Sequence, residues 1–139
     1  MLQSFSARWL FPSLLSSVSR MRRGLRGFLD DVMALSDDEV HDLLLAASEA
    51  ANNAVEHAQQ PTQPFFDVSA EFDDGAVTIV IQDYGLWLQP SSPTYRGRGL
   101  AMMRALADTT VTANAHGTMV TLRSRSAVRV AVDEPGLAS

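Results

Sequence analysis

Nine consecutive residues, Glu49-Ala50-Ala51-Asn52-Asn53-Ala54-Val55-Glu56-His57, hold the side chains of this chain best suited to chemistry. On a helix, the spacing i, i+4, i+8 puts Glu49, Asn53 and His57 on one face. A carboxylate, a neutral oxygen donor and an imidazole in a row suit a site that activates a hydroxyl or a water beside a magnesium-bound phosphate. Polar residues four apart are also the ordinary mark of a solvated helix face. The rest of the chain adds Asp83-Tyr84-Gly85, then Gly97-Arg98-Gly99-Leu100 opening an apolar helical stretch, then Gly117-Thr118-Met119-Val120-Thr121 entering a strand. A lone Gly-x-Gly says little about phosphate binding, but four such pieces in this order are uncommon.

The elements that must position these residues follow from periodicity and punctuation. Ser36-Asp37-Asp38-Glu39 matches a capping box, in which the serine bonds forward and the glutamate reaches back, so a helix starts near Asp37. Val40, Leu43, Leu44, Ala47, Ala51, Ala54, Val55 and Ala58 form its buried stripe, and Pro61 with Pro64 prevents continuation. Glu49, Asn53 and His57 lie off the centre of that stripe, a position from which they can face a cavity at its margin.

Upstream, Phe5, Arg8 and Leu10 suit a first strand and Pro12 a position near a helix start. Val18, Met21, Leu25, Phe28, Leu29 and Val32 recur at helical spacing through to Met33. Residues 1–29 carry no acid but include Arg8, Arg20, Arg22, Arg23 and Arg26, a composition shared with organelle transit peptides. The unbroken stripe favours an amphipathic helix instead, its arginine face solvated or turned to a partner.

Downstream, residues 65–72 and 76–82 are β-rich runs joined by Asp73-Asp74-Gly75, a hairpin signal. Val77, Ile79 and Ile81 alternate with Thr78, Val80 and Gln82, giving one apolar and one mixed face. Residues 84–96 form the longest irregular stretch, a candidate lid or binding segment. A short helix with Leu100, Met103, Leu106 and Ala107 follows Gly99. Residues 109–113 and 118–123 make a second hairpin, turning at His116-Gly117.

The order strand, helix, helix, hairpin, loop, helix, hairpin predicts an α+β fold. Its form is a two-layer α/β sandwich with a mixed, mostly antiparallel sheet and the helices on one face. Length and apolar content suit a single domain over 1–139, with a core of about 5–125 and a frayed tail over 126–139. A net charge of −5 argues against nucleic acid as a direct partner. The absence of cysteine excludes disulfides and thiolate metal sites and fits a cytoplasmic location. No apolar run approaches the ~20 residues of a membrane span.

Glu-x-x-x-Asn-x-x-x-His, Asp-x-Gly, Gly-x-Gly-Leu and Gly-Thr-x-Val, in this order, resemble the GHKL (Bergerat-fold) ATPases. Within them they are most similar to the small anti-sigma-factor serine kinases of the RsbW and SpoIIAB type, and the likeness spans roughly residues 5–123. The resemblance implies ATP and Mg²⁺ as ligands. Asp83 would accept the exocyclic amine of adenine, which selects ATP over GTP because guanine has a carbonyl there. Gly85 would let the backbone pass the base, and Thr118 would complete the adenine contact through water. Asn53 would ligate Mg²⁺, Gly97 and Gly99 would offer N–H groups at a helix start ahead of Leu100, and Arg96 and Arg98 would neutralise phosphate charge. Glu49 would be the catalytic base, and His57 would shape the site or cap the helix end.

The implied activity is that of a protein serine/threonine kinase. Members of this group hold a sigma factor inactive, phosphorylate a small anti-anti-sigma protein of the STAS type, and tend to form homodimers. Two other readings are a non-catalytic ATP-gated binding module of the same fold and the catalytic domain of a histidine-kinase-like sensor. A departure from the pattern is Leu86-Trp87, where many members place a further glycine.

Overall fold

The computed structural model describes residues 4–59, 61–87 and 93–125, the side chains of 57, 59, 86, 87 and 93–98 excepted. Its elements run β1 (Phe5–Pro12), α1 (Leu15–Asp30), α2 (Asp37–His57), β2 (Ala58–Gln59), β3 (Phe65–Asp73) and β4 (Ala76–Gln82). They continue with β5 (Leu86–Trp87), α3 (Pro93–Leu106), β6 (Asp108–Asn114) and β7 (Gly117–Arg123). The long strands form one sheet in the order β1-β3-β4-β7-β6, every pairing antiparallel. The helices cover one face of it, α2 packing on α1, α3, β4 and β7. This is the expected α+β two-layer sandwich.

Alternation decides what each strand gives to the core. Phe66, Val68 and Ala70 of β3, Val77, Ile79 and Ile81 of β4, and Val120 and Leu122 of β7 are buried beneath the helices. Met21, Leu25 and Leu29 of α1 and Leu43, Leu44, Ala47, Ala51 and Ala54 of α2 meet them in one cluster. The capping box forms, with Ser36 Oγ accepting from Glu39 N at 3.2 Å and Ser36 N donating to Glu39 Oε1 at 2.9 Å. At the β3–β4 turn both Asp74 (φ 54°) and Gly75 (φ 82°) are left-handed, as a two-residue type I′ hairpin requires.

Pro12 closes β1 opposite Phe65, where its missing N–H costs little, and stands near a helix start as expected, three residues before Leu15 opens α1. Three expectations give way. The α1 stripe ends at Val32, in the turn after the helix, and Met33 is 92% exposed. The stretch over 84–96 is partly regular, because Leu86 and Trp87 pair with Gln59 and Ala58. The third helix starts at Pro93, a favoured first helical residue, so Gly97, Gly99 and Leu100 lie inside it. Residues 88–92 of the expected loop and the expected tail over 126–139 lie outside the described residues. No helix among the described residues is long and apolar enough to cross a membrane.

Candidate functional site

One end of the site is built where β4 runs out beside the start of β7. Asp83 is 3% exposed, and its Oδ1 accepts from Gly85 N at 3.1 Å and Thr118 N at 3.3 Å. The Asp83 backbone N–H donates to Thr118 O at 3.0 Å, which locks the two segments together. These bonds bring Asp83, Gly85 and Thr118 into one constellation. Thr118 is 1% exposed, and its Oγ1 has no hydrogen-bond partner among the described residues. A buried hydroxyl left in that state costs free energy unless a ligand or water reaches it.

Gly117 makes this approach possible. Its φ is +149°, and a Cβ there would stand 2.0 Å from the Asp83 carbonyl oxygen. The sequence suggested a turn at His116-Gly117. Instead Asn114 Oδ1 accepts from His116 N at 2.8 Å and Gly117 N at 3.0 Å, so the turn is centred on Ala115-His116 and Gly117 already belongs to β7. His116 and His41 are exposed, as expected of surface histidines.

A second group of the expected residues lies on α2. Glu49 is half-buried, Asn53 is 9% exposed and Asn52 is more open, so of the paired asparagines Asn53 is the one turned inward. His57 is the last residue of the helix. Across from Glu49 lies Gly99 of α3, where an added Cβ would come within 3.2 Å of Glu49 Cδ and 3.5 Å of its Oε1. Glycine there lets the α3 backbone close on the carboxylate. Leu100 packs against the core beside it. Gly97 is the fifth residue of α3, beyond the four N–H groups that a helix start leaves unpaired. Arg96 and Arg98 are on the same opening turns. Among the described residues no group of three His, Asp or Glu could hold a metal ion unaided.

Sequence reasoning passed over the residues behind Asp83. Tyr84 alternates to the opposite, helix-free face of the sheet, where its hydroxyl donates to Asp67 Oδ2. Asp67 is 8% exposed and accepts from Arg8 Nε at 2.9 Å, with Arg8 Nη2 at 2.8 Å. The Asp67 hydrogen bond, burial and the nearby Asp67 charge raise the Tyr84 pKa above its ordinary value, and Arg8 opposes them. These side chains line an open cleft of ≈ 300 Å³ with Ser69, Gln82 and Met119. The period-two alternation from Val80 through Gln82 to Tyr84 was the signal available.

Comparison with known proteins bears on this arrangement. The family described as Histidine kinase-like ATPase domain matches residues 11–124. The chain is similar to the solved structure of the RsbU and RsbW domains of Rv1364c from Mycobacterium tuberculosis, at 25% identity and a TM-score of 0.70. That likeness covers 87% of this chain and 32% of the other, so the chain spans about a third of the length of its structural relative. No curated protein matches.

Proposed function

The chain belongs to the Histidine kinase-like ATPase domain family, and from that premise we propose that it is an ATP-dependent protein serine/threonine kinase acting as an anti-sigma switch. In this reading it binds a sigma factor and phosphorylates a hydroxyl on an anti-anti-sigma protein of the STAS type. The observation that carries the nucleotide half is the buried Asp83 carboxylate bonded to the N–H groups of Gly85 and Thr118, next to the unpartnered Thr118 hydroxyl. An acceptor paired with a hydroxyl suits an adenine edge, the amine donating to Asp83 and a bridging water reaching Thr118 Oγ1. The kinase half and the partners draw support from the likeness to a structure that contains an RsbW domain.

Each residue has a task. Glu49 takes the proton from the partner's serine or threonine hydroxyl as that oxygen bonds to the γ-phosphorus and the bond to the β-phosphate oxygen breaks. Gly99 admits the α3 backbone against Glu49, which limits the directions in which the carboxylate can turn. Asn53 would offer its side-chain oxygen to Mg²⁺. When bound, the ion would supply charge neutralisation on the phosphates. Arg96 and Arg98, on the opening turns of α3, would add positive charge for the same phosphates.

The test is Mg²⁺-dependent binding of ATP against GTP by the wild type and Asp83→Asn. Selective ATP binding that weakens by at least about tenfold in the variant is expected. A folded wild type that binds neither nucleotide overturns the reading. Glu49→Ala should then keep ATP affinity and lose transfer to the partner by about a hundredfold or more. Wild-type protein that binds ATP but transfers nothing to a cognate antagonist would be an ATP-gated binding module instead.

A further inference from the structure

The Asp83-Tyr84-Gly85 turn is held from both faces of the sheet. On the helix side, Asp83 Oδ1 holds the N–H groups of Gly85 and Thr118. On the open side, the Tyr84 hydroxyl is donated to Asp67, and the Tyr84 ring meets Phe65 edge-on at 5.4 Å and 71°. In the plane between, the Tyr84 carbonyl accepts from Thr62 N at 2.8 Å and Thr62 Oγ1 at 3.3 Å. Asp67 is itself fixed by Arg8, so the hydroxyl meets an acceptor already oriented. A hydrogen bond to an ionised carboxylate is roughly twice as strong as a neutral one and correspondingly directional.

Tyr84 directly follows Asp83 beyond the end of β4, its side chain bonded on the open face while that of Asp83 is bonded on the helix side. The planar peptide bond between them passes a shift of one residue to the other. A carboxylate discriminates a purine amine from a purine carbonyl only where it is held at hydrogen-bond distance and in line. The bonds to Gly85 and Thr118 hold Asp83 on the helix side, and the Tyr84 contacts hold the next residue from the open side.

We propose that Tyr84, through its hydrogen bond to the Arg8-bound Asp67 on the open face of the sheet, is a positioning residue that sets the purine specificity of Asp83 on the other face. The proposal rests on the nucleotide reading above. It gives the buried Asp67 carboxylate, which touches no part of the adenine constellation, a role in nucleotide choice.

The experiment compares the affinities of ATP and inosine triphosphate, which differ only along one purine edge, an amine against a carbonyl at C6 and an acceptor against an N–H at N1, in the presence of Mg²⁺. Wild type should prefer ATP by about ten- to a hundredfold. Tyr84→Phe, folded by circular dichroism, should lower that preference to within about threefold by losing ATP affinity while keeping affinity for inosine triphosphate, a split that general destabilisation does not produce. Asp67→Ala should do the same from the other end, and Asp67→Asn, which keeps a carbonyl acceptor for the hydroxyl, should retain most of the preference. If Tyr84→Phe fails to fold, the contrast between Asp67→Ala and Asp67→Asn decides. A Tyr84→Phe or Asp67→Ala protein with the full wild-type preference overturns the proposal and leaves the nucleotide reading standing. A wild type with no preference overturns both.

Discussion

A carboxylate as buried as Asp83 is costly unless its oxygens are bonded, and the two backbone N–H groups on Oδ1 are what makes it tolerable. That geometry exists only because position 117 has no Cβ. Gly117→Ala would force a left-handed residue against the Asp83 carbonyl, 2.0 Å away. It should cost about 3 kcal/mol in denaturant unfolding, and any surviving fold should bind ATP poorly. Tyr84 gives a pH prediction of definite sign. Its pKa is raised in the folded chain above the ordinary 10.0, so its contribution to stability is whole below that value and is lost as pH rises through the folded one. Alkaline titration of stability should fall off above about pH 10 and be flatter in Tyr84→Phe. Asp83, Gly85 and Thr118 were legible in the sequence because their spacing repeats a known pattern. Tyr84 and Asp67 were not, because their partnership joins residues 17 apart across a sheet register that no local pattern fixes.

At the scale of elements, α2 is the member on which the others depend, since one face packs the core and its margin carries Glu49 and Asn53. It was also the easiest to read. A capping box, a continuous alanine and leucine stripe and two prolines beyond its end all agree, and agreement between local signals is what makes a segment predictable. Ser36→Ala removes one arm of the box and should cost about 1 kcal/mol, seen as a lower denaturation midpoint with unchanged slope. The hairpin β3–β4 was legible for a similar reason, its Asp74-Gly75 turn stating the left-handed backbone it needs. The start of α3 was not. Gly97 and Gly99 look like breakers, but both are inside the helix, and at Gly99 an added Cβ would stand 3.2 Å from Glu49 Cδ, a tight contact. The two-residue strands β2 and β5 escaped notice because each is defined only by the other.

For the molecule as a whole, the sheet has helices on one side and an open polar face on the other, and its order leaves β1 and β6 as the two edges among the described strands. β1 is the hazardous one: eight residues, with Phe5, Ala7, Trp9 and Phe11 packed inward and Leu10 56% exposed on the outer face. An edge of this length offers unsatisfied backbone groups to any strand of another molecule, and proteins blunt such edges with charge and proline. Here Arg8 sits in the middle and Pro12 at the end. The guanidinium that holds Asp67 thus also puts a charge, its side chain 73% exposed, on a strand that is an edge among the described strands. Arg8→Ala should yield higher-order assemblies by sedimentation velocity under conditions in which wild type yields none. The same residue that bonds Asp67 behind the Asp83-Tyr84-Gly85 turn would then be one that keeps the chain from polymerising.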